Sequence, residues 1–257
     1  MIYQKDYLIE NPKATVIITH GIGEHSKRYE YLAFKLNDHG FDVITYDNLG
    51  HGRSSGKRGK IKSFKDHIET LRNIVLKERE RTSNKIILLG HSMGGGIVNL
   101  YEAMYHDSDL IVSVAAATDT PSNMKIFKYT GFYLLRWVRI NTKIFKNDLA
   151  KNPNIYLATK NDPLQLKYMY LSLLGEMFIK GIKYLKENIG NFKTPILYVH
   201  GTSDKIVDYR FSQNMYDSIK TKDKTIKLYE GEYHELLNDY NKDIIIKDII
   251  NWINDRT

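Results

Sequence analysis

The chain contains no cysteine. That excludes disulfides, a catalytic thiol and a thiolate metal site, and it fits a reducing compartment. Long apolar runs are missing too. Stretches such as Val114–Ala117 stop at four residues, far short of the roughly 20 that a membrane-spanning helix needs. The opening Met1-Ile2-Tyr3-Gln4-Lys5-Asp6 has no basic segment leading into an apolar one, so no signal peptide is expected and a cytoplasmic location is. There is no H-E-x-x-H, and the histidines are scattered, which implies neither a metal nor another cofactor. No internal repeat or low-complexity segment is evident. A chain of 257 residues can bury a full core, most simply as one domain with an insertion.

What is present is organised around one pentapeptide. Gly90-His91-Ser92-Met93-Gly94 follows the apolar run Lys85-Ile86-Ile87-Leu88-Leu89 and opens into Gly95-Gly96-Ile97-Val98-Asn99-Leu100-Tyr101. This is G-x-S-x-G between a strand and a helix, a nucleophile elbow. The serine there sits on a sharp, strained turn, and its flanking positions must be small so that strand and helix can approach. Ser92 is therefore the expected nucleophile. By itself the pattern also fits a tight glycine turn without chemistry; its strand and helix context argues otherwise.

A serine nucleophile needs a base, and the base needs an acid to orient it. In folds with this elbow the chain order is serine, acid, histidine. Of nine histidines, only His234 lies beyond the candidate acids, in Glu230-Gly231-Glu232-Tyr233-His234 after the apolar Thr225 to Tyr229. The expected acid is Asp204, in Gly201-Thr202-Ser203-Asp204 at the end of the buried run Pro195 to His200. It would hold the imidazole in the tautomer that accepts the Ser92 proton and stabilise the imidazolium. Asp119 is the rival, since it also follows a strand-like segment, Leu110 to Ala117. Asp208 reads as a helix cap. The oxyanion hole would use two backbone amides, Met93 after the nucleophile and Ile22 in His20-Gly21-Ile22-Gly23, with a plain glycine-rich turn as the bland reading of the second.

With these segments in view, the chain resembles the monoacylglycerol lipase and lysophospholipase group of α/β-hydrolases. The resemblance rests on His20-Gly21-Ile22-Gly23-Glu24-His25-Ser26 with Arg28-Tyr29, on Asp47-Asn48-Leu49-Gly50-His51-Gly52-Arg53-Ser54, and on the elbow. It continues through Asn161-Asp162-Pro163-Leu164, His200 to Asp204 and His234-Glu235-Leu236-Leu237-Asn238, and so spans about Thr15 to Asp239. It implies that Ser92, Asp204 and His234 fill the triad and that the Ile22 and Met93 amides form the oxyanion hole. It also implies that Glu24 and Arg28 border the pocket for the polar head of the substrate.

The expected element order is strand 15–19, helix 27–39, strand 41–46, helix 64–80, strand 85–89, helix 94–106 and strand 110–116. After an interruption follow strand 195–200, helix 209–219, strand 225–229 and helix 241–254. This alternation predicts an α/β fold, a mostly parallel central sheet flanked by helices. Residues 1–118 and 193–257 would form the core, and 119–192 a helical cap inserted over the site.

The cap is where the charge lies. Residues 121–190 hold twelve Lys/Arg against four Asp/Glu, a surplus equal to the +8 of the whole chain, so the rest is neutral. Lys125, Lys128, Arg136, Arg139, Lys143 and Lys146 fall within an arc of roughly 80° at 100° per residue. Phe127, Leu134, Val138 and Phe145 lie on a separate stripe. A basic amphipathic helix is predicted if it passes Asn141-Thr142. It is either a solvated face or a peripheral docking surface for anionic lipid. No nucleic-acid motif accompanies the charge.

The expected activity is serine ester hydrolysis of a lipid monoester, foremost a monoacylglycerol, with an acyl-chain tunnel lined by the cap. A lysophospholipase or general carboxylesterase is the alternative. A small-molecule receptor on a hydrolase scaffold is the reading from another class. Dehalogenases and epoxide hydrolases of this fold use a carboxylate nucleophile, which Ser92 argues against.

Overall fold

Six consecutive buried residues make each of the two strands that begin the sheet, β2 (Ala14–Thr19) and β3 (Phe41–Tyr46). A strand covered on both faces reads as a nearly continuous apolar run, and here alternate residues serve opposite layers. Val16 and Ile18 belong to one apolar cluster, with Leu36 of helix α1 (Glu30–Asn37) and Ile249 and Trp252 of a C-terminal helix. Ile17 belongs to the other, with Leu71 of α2 (Lys65–Arg81) and Ile97 of α3 (Met93–Tyr105).

The computed structural model describes residues 1–124, 132–142 and 148–257. With β1 (Gln4–Tyr7), β4 (Lys85–His91), β5 (Leu110–Val114), β8 (Ile196–Gly201) and β9 (Lys224–Tyr229), the strands form a seven-stranded sheet in the order β1-β3-β2-β4-β5-β8-β9. Only β1 runs antiparallel, pairing Gln4 with Tyr46 through Tyr7 with Val43. The expected core strands fall within one or two residues of the observed ones. β1 is an addition, because Gln-Lys-Asp-Tyr carries no apolar alternation and is a half-exposed edge.

Between β5 and β8 the chain leaves the sheet. It forms helices α4 (Pro153–Asn161), α5 (Leu171–Gly175) and α6 (Ile182–Glu187), with a π-helical turn (Glu176–Gly181) joining the last two. It then returns through β8 to α7 (Arg210–Ser218), β9 and α8 (Lys242–Asn254).

Two corrections apply in this insertion. It is not wholly helical, because β6 (Arg139–Asn141) pairs antiparallel with β7 (Tyr168–Tyr170), Arg139 against Tyr170 and Ile140 against Met169. The single basic helix is also interrupted: residues 132–137 are turns and Arg139 lies in a strand. A phase computed at 3.6 residues per turn does not survive a change to a period of 2. Lys125, Lys128, Lys143 and Lys146, with Phe127 and Phe145, lie outside the described residues. Arg136 and Arg139 meet rings instead: the Arg136 guanidinium is 5.7 Å from the Trp137 ring centre and that of Arg139 is 4.9 Å from Tyr168.

Beneath the sheet's loops lie three fully buried histidines. His20 and His51 are 5.3 Å apart between ring centres, and His51 and His67 are 5.9 Å apart. His20 is fixed as a neutral ring, with Nδ1–H donating to the Gly21 carbonyl at 2.7 Å and Nε2 accepting from the Asn48 amide at 2.9 Å. Neither ring nitrogen of His67 has a hydrogen-bond partner among the described residues. Burial lowers the pKa of all three, that of His67 to about 3, and the neighbouring imidazoles lower those of His51 and His67 further.

Because the folded pKa lies below the unfolded one, the unfolded chain binds more protons across this interval. Stability is complete above about pH 6.5 and, for His67, falls by about 1.4 kcal/mol per pH unit toward pH 3, with the lowered pKa values of His20 and His51 acting in the same direction. Urea midpoints should fall steeply between pH 6.5 and 4, and His67→Gln should flatten that slope. An unchanged slope in the variant would place the acid lability elsewhere.

Candidate active site

Ser92 is the hinge between β4 and α3, and its backbone is strained at φ 56 and ψ −118. A left-handed φ at a non-glycine residue persists only where the surroundings over-determine it. Here they do: the Ser92 amide donates to the Val114 carbonyl at 2.9 Å, and its carbonyl accepts from Gly96 and Ala117 at 3.1 Å each. The flanking glycines are required by contact. A methyl group on Gly90 would sit 2.2 Å from the Gly94 carbonyl oxygen, and one on Gly94 would sit 2.0 Å from that of Thr19. The strand, the loop after β2 and the helix therefore meet at a point that only hydrogen side chains permit.

The loops after β8 and β9 bring Asp204 to His234. Asp204 Oδ2 accepts from His234 Nδ1 at 2.7 Å and from His200 Nε2 at 3.1 Å, while Oδ1 accepts the amides of Ile206 and Val207 at 2.8 and 2.9 Å. Burial alone would raise the Asp204 pKa, but the two imidazoles outweigh it and hold the carboxyl well below its ordinary range. His200 is in turn anchored by Ser212 Oγ at 2.7 Å from Nδ1. Asp119 is elsewhere engaged, 2.6 Å from Lys186 Nζ. Asp208 accepts the Arg210 amide at 3.0 Å but lies one residue ahead of Tyr209, the N-cap of α7, so it is not itself the expected cap.

Ser92, His234 and Ile22 line one cavity of about 420 Å³, together with Glu24, Arg28 and Glu235. Leu149, Leu166, Met169 and Ile206 form much of its apolar wall. The loop carrying Ile22 abuts Ser92, since a methyl group on Gly21 would lie 3.2 Å from Ser92 Cβ. Met93 is the first residue of α3, where backbone amides have no intrahelical acceptor. Among the described residues no cluster of three His, Cys, Asp or Glu side chains is arranged to hold a metal.

Glu24 and Arg28 border the cavity but are also committed to the protein. Arg28 donates to Glu235 Oε2 at 2.9 Å and to Thr159 Oγ1 at 2.8 Å. Glu24 Oε2 accepts from the Gly21 amide at 3.1 Å and from the Tyr29 hydroxyl at 2.7 Å. With its proton given to Glu24, the Tyr29 oxygen can only accept from His91 Nδ1, at 2.9 Å. The other nitrogen, His91 Nε2, donates to the His234 carbonyl at 3.0 Å. Both ring nitrogens donate, so His91 is an imidazolium. Burial works against that charge, but the Glu24 carboxylate outweighs it and lifts the His91 pKa to about 9. Burial would likewise raise Glu24, and His91, Arg28 and Tyr29 together pull it well below the carboxylate range. A buried ion pair thus braces the backbone of His234 from beneath.

His91, Tyr29, Glu235 and His200 were all within recognised segments, yet nothing in the sequence assigns them these contacts. His91 occupies the free position of G-x-S-x-G, and pairing across 62 residues to Tyr29 leaves no local signal.

The family described as serine aminopeptidase, S33, matches residues 10–241 of the chain. The chain belongs to this family. It is an α/β-hydrolase. It is 28% identical over 250 residues to the monoacylglycerol lipase of Mycolicibacterium smegmatis, covering 95% of this chain and 89% of that protein. It is also 28% identical over 254 residues to human monoglyceride lipase, covering 96% and 84%. The crystal structure of Paleococcus ferrophilus monoacylglycerol lipase superposes over 100% of both chains with a TM-score of 0.89 at 27% identity. The sheet order, the elbow and the breadth of these matches make this chain a hydrolase related to lipid-ester-cleaving enzymes.

Proposed function

We infer that the protein is a serine ester hydrolase acting on lipid monoesters, foremost monoacylglycerols. The observation that carries this reading is the strained Ser92 at the wall of an apolar cavity that also exposes His234, whose far nitrogen is held by Asp204. In the reaction, His234 Nε2 takes the Ser92 proton as Oγ bonds to the acyl carbon. The Ile22 and Met93 amides hold the resulting oxyanion. The carbon–oxygen bond to the alcohol then breaks as the imidazolium protonates the leaving oxygen. Water, deprotonated by the same imidazole, attacks the acyl-enzyme and releases the fatty acid and Ser92. Asp204 stays ionised throughout, as its depressed pKa requires.

The cap, taken as residues 119–192, supplies the acyl wall through Leu149, Leu166 and Met169. Its outer face supports peripheral docking on an anionic bilayer. Leu134 and Trp137 are 87% and 64% exposed, beside Arg136 and Arg139, and the ammonium of Lys60 stands 3.4 Å from the centre of the Trp137 ring. Apolar side chains can enter the interface while each nearby cation gains roughly 1 kcal/mol from anionic headgroups. Among the described residues no helix is long and apolar enough to cross a membrane. Such docking fits a cytoplasmic protein acting at the inner membrane surface.

The test is a panel of monoacyl-, diacyl- and triacylglycerols and lysophospholipids, with products identified by mass and with lipids presented in neutral or anionic vesicles. Monoacylglycerol should be cleaved fastest, and faster in anionic vesicles at low salt than at high. Leu134→Ser with Trp137→Ser should lower vesicle hydrolysis relative to a water-soluble short ester. No cleavage of any acyl ester would overturn the activity. Equal rates on both vesicle types would overturn the docking.

A further inference from the structure

The motif Asn161-Asp162-Pro163-Leu164 takes no part in the reaction above, yet it fastens the cap to the loop that carries Ile22. That loop is loose by composition. Ile22 stands between two glycines, and Gly23 has a φ of 79, which side chains rarely adopt. An amide in such a segment keeps one direction only if its neighbours are held from outside.

Before Ile22 the core supplies the holds. The Gly21 amide donates to Glu24 Oε2 at 3.1 Å. The Gly21 carbonyl, in the same peptide plane as the Ile22 N–H, interacts with His20 Nδ1 at 2.7 Å. At Gly23 and His25 the holds come from the cap. The Leu166 amide donates to the Gly23 carbonyl at 2.9 Å, and Asp162 Oδ2 accepts from His25 Nε2 at 2.7 Å. The core resumes at Ser26, whose amide donates to Asp47 Oδ1 at 2.7 Å.

Asp162 joins the two cap contacts. Its other oxygen, Oδ1, accepts the Leu164 amide at 2.8 Å and so shapes the turn that leads to Leu166. Arg58 donates to the Leu164 carbonyl at 2.9 Å and fixes the same turn from the core. Burial would raise the Asp162 pKa, but the Leu164 amide and His25 outweigh it and hold the group ionised, so His25 Nε2 is the donor. That bond needs only Nε2–H, whichever charge the ring carries. His25 is buried and its Nδ1 has no partner among the described residues, so the ring is tied to the cap alone.

An oxyanion donor works by being aimed before the charge develops. We propose that the Asp162–His25 bond is a positioning latch, holding the loop after β2 so that the Ile22 amide faces the developing oxyanion. The cap then completes the oxyanion hole as well as the acyl wall. The proposal rests on the ester-hydrolase reading with Ile22 as a donor. Neither His25 nor Asp162 belongs to the cavity wall, so both act through the loop and neither touches substrate.

Loss of transition-state stabilisation with the pocket's shape retained is the signature of such a latch. His25→Leu and Asp162→Ala would be compared with wild type on three compounds. These are a water-soluble short ester, a trifluoromethyl ketone that forms a tetrahedral adduct at Ser92, and an alkylglycerol ether, which fills the cavity but has no carbonyl. kcat/KM should fall, and the ketone's inhibition constant rise, each by on the order of tenfold, part of the 10²–10³ that a whole oxyanion donor contributes. The inhibition constant of the ether should stay within about twofold, since ground-state binding is untouched. The double variant should lose little more than the larger single effect, because both substitutions break one bond. His25→Gln, whose amide N–H reaches toward the place of Nε2, should keep most of the activity. Urea midpoints check that each variant folds. The Asp162 side chain is 24% exposed, so Asp162→Ala carries the test if the buried His25→Leu does not fold. Unchanged kcat/KM in the folded variants would overturn the latch and leave the esterase standing. Ether binding weakened as much as ketone binding would also overturn it, making the bond a support of pocket shape alone. A wild type that cleaves no ester would overturn the esterase reading and the latch with it.

Discussion

A fluorophosphonate is expected to label the protein once, at Ser92, and Ser92→Ala is expected to lose both the label and turnover by on the order of 10⁴-fold or more in kcat. The size follows from the way the triad acts as a unit. Without Oγ there is no covalent acyl-enzyme, and what remains is the pull of the oxyanion amides and the positioning of substrate in the cavity. The variant should fold normally, since the backbone bonds from Ser92 to Val114, Gly96 and Ala117 do not involve the side chain. Removing the hydroxyl leaves the φ of 56 in place, so circular dichroism and the urea midpoint should barely change. Labelling at another serine, with activity intact in Ser92→Ala, would sink the assignment of the nucleophile.

Much of this site was legible because its chemistry depends on short, stiff segments. G-x-S-x-G announces itself because Gly90 and Gly94 each face a backbone oxygen at a distance that no side chain could occupy. The parallel strands were legible because burial on both faces favours the mostly apolar, β-branched segments 14–19, 41–46 and 86–89. Resemblance then supplied what local pattern does not, the pairing of loops far apart in sequence.

The insertion was harder for a physical reason. Its strands β6 and β7 are three residues each, too short to declare a period, and they are stabilised by pairing across 29 residues rather than by local propensity. Arg136 and Arg139 therefore fit a helical phase on paper while the chain chose turns and a ladder. The charge surplus itself did not depend on that helix. Counting lysines against acids along 121–190 pointed to a positive cap, and among the described residues Lys151, Lys180, Lys183 and Lys186 are held in ion pairs. The supporting pair Glu24 and His91 was invisible for the opposite reason: each is an ordinary residue in its own segment, and only the fold brings them together.

Exchange of one oxygen for nitrogen should separate the two aspartates that follow sheet strands. Asp204→Asn is expected to fold but to reduce kcat by a factor on the order of 10³–10⁴. The amide oxygen can still accept from the Ile206 and Val207 amides, where Oδ1 now sits at 2.8 and 2.9 Å. Its NH₂ would then occupy the place of Oδ2, facing His234 Nδ1 at 2.7 Å and His200 Nε2 at 3.1 Å. A donor there turns His234 Nδ1 into an acceptor and moves the ring proton to Nε2, the atom required to take the Ser92 proton. The imidazolium formed in the reaction also loses its anion. Asp119→Asn carries neither penalty. It gives up only an ion pair to the half-exposed Lys186, and surface pairs of that kind contribute about 0–1 kcal/mol. Its kcat should stay within about twofold of wild type, within the range usual for surface changes. The measurement is kcat on a soluble ester for both variants, beside their urea midpoints. If Asp119→Asn were the crippled enzyme and Asp204→Asn the active one, the acid would follow the earlier strand β5, and the hydrogen bond from His234 to Asp204 would have a structural role alone.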